Sequence, residues 1–332
     1  MVSTPLLEVR DLRVYLQTRE GPVRAVDGAG FVIRRGESLG IVGESGSGKS
    51  MSCQAIMQVL PQPAAAIESG QILLDGDNLL LKSRRAMQQI RGARIGMILQ
   101  DPLNSLNPVL SIGAQLVESL RLSDTGASRA ELHRQAAAAL ERVGIAGNAG
   151  RLDAYPHEFS GGMRQRVAAA IAIARKPDLL IADEPTTALD VTTQDQFLDM
   201  LNALKRDQGM SLLLVSHDMG VVARCCDRVA VMYGGRVVES GSSSDILESP
   251  KHPYTRALMR AVPQLHGPRQ ARLFQIPGEP PNNRAMPAGC HFAPRCDKAD
   301  ATCHAQYPPT VIYRSGASAA CWRCLPANGG DT

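Results

Sequence analysis

Phe159-Ser160-Gly161-Gly162-Met163-Arg164-Gln165-Arg166, followed a short helix later by Leu179-Leu180-Ile181-Ala182-Asp183-Glu184, is the stretch that decides the fold. The first run is a Ser-Gly-Gly turn feeding a basic helix. The second is a continuous apolar run of the kind found in a parallel sheet covered on both faces. It ends in two carboxylates. One carboxylate there can hold Mg²⁺ through water, and the next can polarise an attacking water. Asp-Glu-Pro is also a common helix N-cap pair, but so apolar a strand ahead of it weakens that blander reading.

Upstream, Gly43-Glu44-Ser45-Gly46-Ser47-Gly48-Lys49-Ser50 fits G-x-x-x-x-G-K-S. It falls between an expected buried strand at 38–42 and an expected helix at 50–60. Glycines let successive backbone N–H groups turn inward on phosphates, and the helix N-terminus adds positive potential. Lys49 is placed to reach the β- and γ-phosphates, and the Ser50 hydroxyl to ligate Mg²⁺. Gln100 ends the expected strand 95–99, and His217 follows the expected strand 212–216. Either residue alone would be ordinary. Both sit at carboxyl ends of parallel strands, where open α/β sheets place their ligands.

Around these motifs, strands alternate with helices, which indicates an α/β sheet. The first 35 residues read as two strands. Residues 103–154 look different: rich in Pro and Asn at first, then Ala-rich and helical through 130–143. Residues 229–232 and 237–239 read as a hairpin around Gly234-Gly235. After about residue 250 prolines break the chain repeatedly, and beyond one short helix at 252–261 it looks irregular. There is one phosphate loop and no repeat of it.

With 332 residues, a prior of roughly 100–200 residues per domain suggests two or three domains. A net charge of +4, one Trp and five Phe offer little for nucleic-acid binding. The start MVSTPLLEVRDLRVYL shows no basic, apolar and small-residue succession, so no secretory leader is expected. No run approaches about 18 apolar residues, so any membrane role is expected to come through a partner.

Five of the eight cysteines crowd the C-terminal segment. Cys290, Cys296, Cys303 and Cys321 form C-x5-C-x6-C-x17-C, with Cys324 as an extra. Soft thiolates in a proline-broken segment suit Zn²⁺ or an iron–sulfur cluster, and metal is favoured over free thiols. A structural zinc site shows two close Cys pairs, and only Cys321-Trp322-Arg323-Cys324 has that spacing, so zinc fits poorly. Cys53, Cys225 and Cys226 read as small buried apolar residues.

Together these motifs closely resemble the ATP-binding subunits of ABC transporters, over about the first 260 residues. The resemblance implies a P-loop (RecA-like) ABC ATPase core with an antiparallel β-subdomain, an inserted helical subdomain and a small irregular Cys-rich C-terminal domain. The implied boundaries are 1–102 and 159–250 for the core, 103–158 for the helical insertion and 251–332 for the tail. Gly43, Glu44, Ser45, Gly46, Ser47, Gly48, Lys49 and Ser50 would be the Walker A loop holding ATP. Asp183 would join Ser50 and Gln100 around Mg²⁺, with Glu184 the catalytic carboxylate and His217 the switch histidine. Ala188-Leu189-Asp190 resembles the D-loop. Ser160, Gly161 and Gly162 would cap ATP held by a partner's phosphate loop. Phe159 and Met163 depart from the usual LSGGQ signature, although Ser160 and the glycines keep their hydroxyl and N–H groups. The adenine-stacking aromatic is expected at Tyr15, with Leu16 the alternative.

A narrower resemblance, to dipeptide/oligopeptide importer ATPases, rests on GESGSGKS, Leu99-Gln100-Asp101-Pro102 through Leu106-Asn107-Pro108, FSGGMRQR, His252-Pro253-Tyr254-Thr255-Arg256-Ala257-Leu258 and Ile276-Pro277-Gly278-Glu279-Pro280-Pro281. It implies a second, homologous ATPase subunit in a heterodimer, two membrane permease subunits and a separate substrate-binding protein. The chain would then work peripherally at the cytoplasmic face of the cell membrane. It also implies a [4Fe–4S] cluster on Cys290, Cys296, Cys303 and Cys321, with Cys324 the alternative fourth ligand. That cluster is expected to be structural, cross-linking a tail with no core of its own. Related importers carry nickel, glutathione or sugars, so peptide is the leading substrate rather than the sole one. A DNA-repair ABC ATPase would show long coiled coils between phosphate loop and signature, and no sustained heptads occur there. A translation ABC ATPase would carry two such units. A P-loop kinase needs neither the Ser-Gly-Gly turn nor the switch histidine.

Overall fold

The computed structural model describes residues 4–101, 105–122, 126–187, 189–262 and 274–324. They form two compact units. One is built from Arg34–Ser38 and Leu81–Val215, the other from Pro5–Ile33, Leu39–Leu80 and Ser216–Thr332.

The second of these units opens with a hairpin, β1 (Pro5–Thr18) and β2 (Gly21–Arg34), longer than the two strands expected. The antiparallel sheet is completed by β4 (Ala65–Leu74) and β5 (Asp77–Asn78) in the order β2-β1-β4-β5. Alternation along β1 slips midway: Leu7 and Val9 are buried, then Leu12 and Val14. A bulge between Arg10 and Arg13 supplies the extra residue that keeps both halves facing inward. Nothing in the local pattern of residues 65–74 announces a strand, since glycine and charge interrupt its apolar residues.

In the same unit β3 (Ser38–Val42) pairs in parallel with β9 (Arg228–Tyr233), in register Leu39↔Arg228 to Val42↔Val231. β9 turns through Gly234-Gly235 into β10 (Arg236–Ser242), as the hairpin reading expected. Two strands were missed: β11 (Thr310–Ile312) and β12 (Ser318–Ala320), the latter antiparallel to β10. The C-terminal segment is therefore not an unsupported tail. It adds to this sheet and buries Phe292, Ala293, Ala319 and Ala320. Phe292 packs edge-on against Tyr233, with ring centroids 5.2 Å apart. At three residues each, the two strands are too short to show a period in the sequence.

The other unit carries three parallel strands, β6 (Ile95–Ile98), β7 (Leu179–Asp183) and β8 (Ser211–Ser216), with β7 central. Leu179, Leu180, Ile181 and Ala182 are fully buried, as a continuous apolar run requires. The crossover helix Val191–Gln208 lays Phe197, Leu201 and Leu204 inward at helical spacing. Between β6 and β7 lie helices Ile112–Arg121, Arg129–Arg142 and Ala149–Asp153. Each begins at a capping side chain, Ser111, Ser128 and Asn148, that accepts an N–H from the first turn. These helices occupy the region expected to be a helical insertion.

Candidate functional site

In the unit holding the phosphate loop, β3 runs straight into Gly43–Ser50 and the helix Lys49–Met57. The loop can turn only with glycine at two points. A Cβ on Gly43 would lie 2.2 Å from the Met232 carbonyl oxygen, and one on Gly48 2.3 Å from that of Ala25. Gly48 caps the helix without a side-chain hydrogen bond, so the first-turn N–H groups face the loop's concavity. Lys49 Nζ folds back onto the loop and donates to the carbonyls of Gly43 and Glu44 at 2.8 and 3.1 Å. The Ser47 hydroxyl is buried with no hydrogen-bond partner. The loop thus concentrates an ammonium, a helix N-terminus and an unsatisfied hydroxyl, the requirements of a bound phosphate. Ser50 is half-buried at the start of the helix, and His217 is exposed after β8.

Tyr15 is half-buried, and its hydroxyl donates to Asp27 at 2.9 Å. Burial and that carboxylate push the phenol above its ordinary range. Arg24 sits 5.9 Å from its ring centroid. Leu16 beside it is also half-buried, so both remain candidates for an apolar contact with a base.

In the other unit the parallel register of β6 and β7, Ile98↔Ala182, carries Gln100 and Glu184 to neighbouring strand ends. Gln100 Nε2 donates to Glu184 Oε2 at 3.1 Å, and the Thr187 hydroxyl donates to the same oxygen at 3.2 Å. Glu184 adopts φ 45, a left-handed conformation rare for a non-glycine residue. Its N–H is fixed on the Val215 carbonyl at 3.0 Å. Such strain persists where surroundings hold it, often at functional sites. Asp183, one residue earlier, is buried at the end of β7.

Ser160 caps the helix Gly161–Ile173, its hydroxyl accepting the Met163 N–H at 3.3 Å. Nothing lies within 4 Å of the position a Gly161 Cβ would take, so the backbone there is open to a close-approaching group. Asp190 caps the helix Val191–Gln208 in the same way, and Thr193 holds its carboxyl below the usual range through backbone and side-chain hydrogen bonds. Ala188 lies outside the described residues.

Four of the five tail cysteines, Cys290, Cys296, Cys303 and Cys321, line one cavity together with His252 and Phe292. The cavity is narrow and partly open to solvent. Cys324 lies off this wall, and its thiol donates to the Lys251 carbonyl at 3.2 Å. Burial pushes the Cys290 thiol up to about 11. Among the described residues, no three Cys, His, Asp or Glu side chains converge closely enough to hold a single metal ion.

Sequence reasoning missed three contacts on the phosphate loop, all made from the C-terminal segment. Arg295 pairs with the Glu44 carboxylate, Tyr254 Oη accepts the Glu44 N–H, and Asn283 donates to the Gly46 carbonyl. HPYTRAL and IPGEPP flag two of the segments involved, but no spacing rule connects them to the loop.

An ABC transporter family model matches residues 26–187, and a model described as the oligopeptide/dipeptide transporter C-terminal region matches 238–303. The chain is 48% identical over 318 residues to a probable peptide ABC transporter ATP-binding protein, y4tR, of Sinorhizobium fredii, covering 96% of this chain and 95% of that one. It is 46% identical to the oligopeptide transport ATP-binding protein OppD of Bacillus subtilis, covering 92% and 85%. It is 44% identical to the dipeptide transport ATP-binding protein DppD of the same organism, covering 96% and 94%. Among solved structures, the ATP-binding cassette MJ0796, in a dimeric post-hydrolysis state bound to ADP and Pi, superposes with a TM-score of 0.64 at 26% identity. That match covers 71% of this chain and 98% of the cassette.

Proposed function

The chain belongs to the ATP-binding subunits of peptide ABC transporters, and from that premise we propose how its residues power peptide import. The chain is an ATPase, and its hydrolysis of ATP drives peptide across a membrane through permease subunits. The observation that carries the residue-level reading is Glu184, strained and held by Gln100 and Thr187 through one carboxylate oxygen. That carboxylate accepts a proton from a water attacking the γ-phosphorus. Gly43, Glu44, Ser45, Gly46, Ser47 and Gly48 wrap the phosphates with backbone N–H groups. Lys49 leaves its loop carbonyls for the β- and γ-phosphates, and its charge offsets what develops on the leaving group. His217 and Gln100 sense the γ-phosphate. Tyr15 gives the base an apolar wall.

Ser50, Gln100 and Asp183 supply hydroxyl, carboxamide and carboxylate oxygens, the hard donors Mg²⁺ takes. When bound, Mg²⁺ neutralises phosphate charge. Ser160, Gly161 and Gly162 cap the nucleotide of a second, homologous ATPase subunit, which makes the working unit a heterodimer. No helix among the described residues is long and apolar enough to cross a membrane. We propose that the chain works peripherally at the cytoplasmic face, beneath two permeases that receive substrate from a binding protein. We propose 1–102 with 159–250 as the ATPase core, 103–158 as the helical subdomain and 251–332 as the C-terminal segment.

The cysteine cavity fits an iron–sulfur cluster better than zinc. Cys290, Cys296, Cys303 and Cys321 line one cavity, and soft thiolates suit iron–sulfur ligation, whereas a structural zinc site takes two close Cys pairs that this spacing lacks. Cys290, Cys296, Cys303 and Cys321 would hold a [4Fe–4S] cluster, which would add a cross-link to a segment already packed by Phe292.

The test is ATP hydrolysis and peptide uptake by the complex carrying Lys49→Ala. Loss of both supports the reading. Full uptake by that variant overturns it.

A further inference from the structure

Arg295 lies in the cysteine-bearing segment, yet its guanidinium belongs to the phosphate loop. Its side chain is 4% exposed. All five N–H groups are placed. Nη1 donates to Glu44 Oε2 at 2.7 Å and to Tyr233 Oη at 3.2 Å, and Nη2 donates to Glu44 Oε1 and the Ile276 carbonyl, each at 3.2 Å. Nε donates to the Pro277 carbonyl at 2.8 Å. A planar fork on both oxygens of one carboxylate fixes its rotation as well as its position.

Two further contacts act on the same loop. The Glu44 N–H is held by Tyr254 Oη at 2.9 Å, and the Gly46 carbonyl by Asn283 Nδ2 at 3.1 Å. The loop is therefore tied at the Glu44 side chain, the Glu44 backbone and the Gly46 backbone. Pro280, Pro281 and Asn283 stand beside Glu44, Ser45, Gly46 and Ser47 around one pocket. A glycine-rich loop has many conformations when free, and ordering it on binding costs affinity. Ties that hold it in the phosphate-ready shape beforehand remove that cost.

We propose that Arg295 is a positioning residue for nucleotide binding: through its two-pronged contact with Glu44 it holds the phosphate loop in the shape that receives ATP. The proposal rests on the reading that Gly43–Ser50 binds the phosphates. It predicts an effect on affinity rather than on the chemical step, because Arg295 touches the loop and not the reacting atoms.

The experiment is steady-state ATP hydrolysis by the assembled transporter carrying Arg295→Met, Arg295→Lys, Glu44→Gln or the Arg295→Met/Glu44→Gln pair, with Lys49→Ala alongside. Arg295→Met and Glu44→Gln are each expected to raise KM for ATP about 10-fold with kcat held within about two-fold. The pair should be no worse than the poorer single variant, because both remove one contact. Arg295→Lys should recover part of the loss, since it keeps the charge but not the fork. Glu44→Gln, nearly isosteric, reports the contact if Arg295→Met folds poorly. An unchanged KM with reduced kcat, or losses that multiply in the pair, overturns the proposal. If Lys49→Ala also leaves KM and kcat unaltered, the phosphate-loop reading itself has failed. If Lys49→Ala abolishes hydrolysis while the Arg295 and Glu44 variants keep the normal KM, only the positioning role has failed.

Discussion

Gln100 Nε2 donates to Glu184 Oε2 at 3.1 Å, joining the ends of two adjacent parallel strands. The two residues are 84 positions apart. The register of β6 on β7 makes the meeting unavoidable, because Ile98 opposite Ala182 sets both strand ends level. The contact fixes the orientation of the carboxylate through one of its oxygens.

Replacing Gln100 with Ala should therefore lower kcat for ATP hydrolysis by about 10-fold, the effect of letting a general base lose its orientation. KM for ATP should move less. A steady-state assay of the complex separates the two parameters, and an unchanged kcat would show that Glu184 keeps its orientation without Gln100.

The Gly48→Ala substitution should be severe. Its Cβ would press to 2.3 Å on the Ala25 carbonyl oxygen at a backbone φ of 101. Strain at such a position, together with a clash on backbone, is expected to cost about 2–3 kcal/mol or more. Denaturant unfolding of the purified chain measures the cost, and ATP binding should fall with it.

Iron and acid-labile sulfide analysis of anaerobically purified protein tests the cysteine cavity. Bound iron and sulfide are expected together, with brown colour, in the unmodified chain. Cys321→Ser should lose them and Cys324→Ser should keep them, since Cys321 lines the cavity and Cys324 does not. A colourless, zinc-loaded and fully ordered protein would remove the cluster from the account.

Asp190 gives a pH-dependent signal. Thr193 lowers its carboxyl in the folded chain below the ordinary 3.8. A group lowered on folding stabilises above its unfolded value, and that contribution is lost as pH falls through the folded value. The thermal midpoint of Asp190→Ala should thus lie below that of the unmodified chain at pH 7. The gap should narrow as pH drops below about 3.8. A gap independent of pH would show that the cap acts by shape alone.

The parallel strands were legible because they are fully buried runs bounded by glycine and charge. Leu179-Leu180-Ile181-Ala182 could be read as β7 without any knowledge of its neighbours. The phosphate loop was legible because its chemistry demands glycine at fixed offsets, and the clashes at Gly43 and Gly48 show why. β4, β11 and β12 were not legible. Their residues are short, half-exposed or interrupted, so pairing partners rather than pattern make them strands. The Arg295–Glu44 pair was hidden for a related reason. It joins residues 251 positions apart through side-chain geometry, and nothing in local spacing announces which arginine will fold back on a loop. The expectation that the tail would lack a core failed because Phe292, Tyr233 and Tyr254, scattered in sequence, stack in space.

The central claim is that this chain hydrolyses ATP with Glu184 as the group that activates water, and that peptide import depends on it. The most direct measurement is ATP retention and turnover by the complex carrying Glu184→Gln, alongside uptake of labelled peptide. The account predicts ATP bound at normal affinity, hydrolysis reduced by about 100-fold or more, and uptake abolished. Hydrolysis and uptake at the unmodified rate would contradict it.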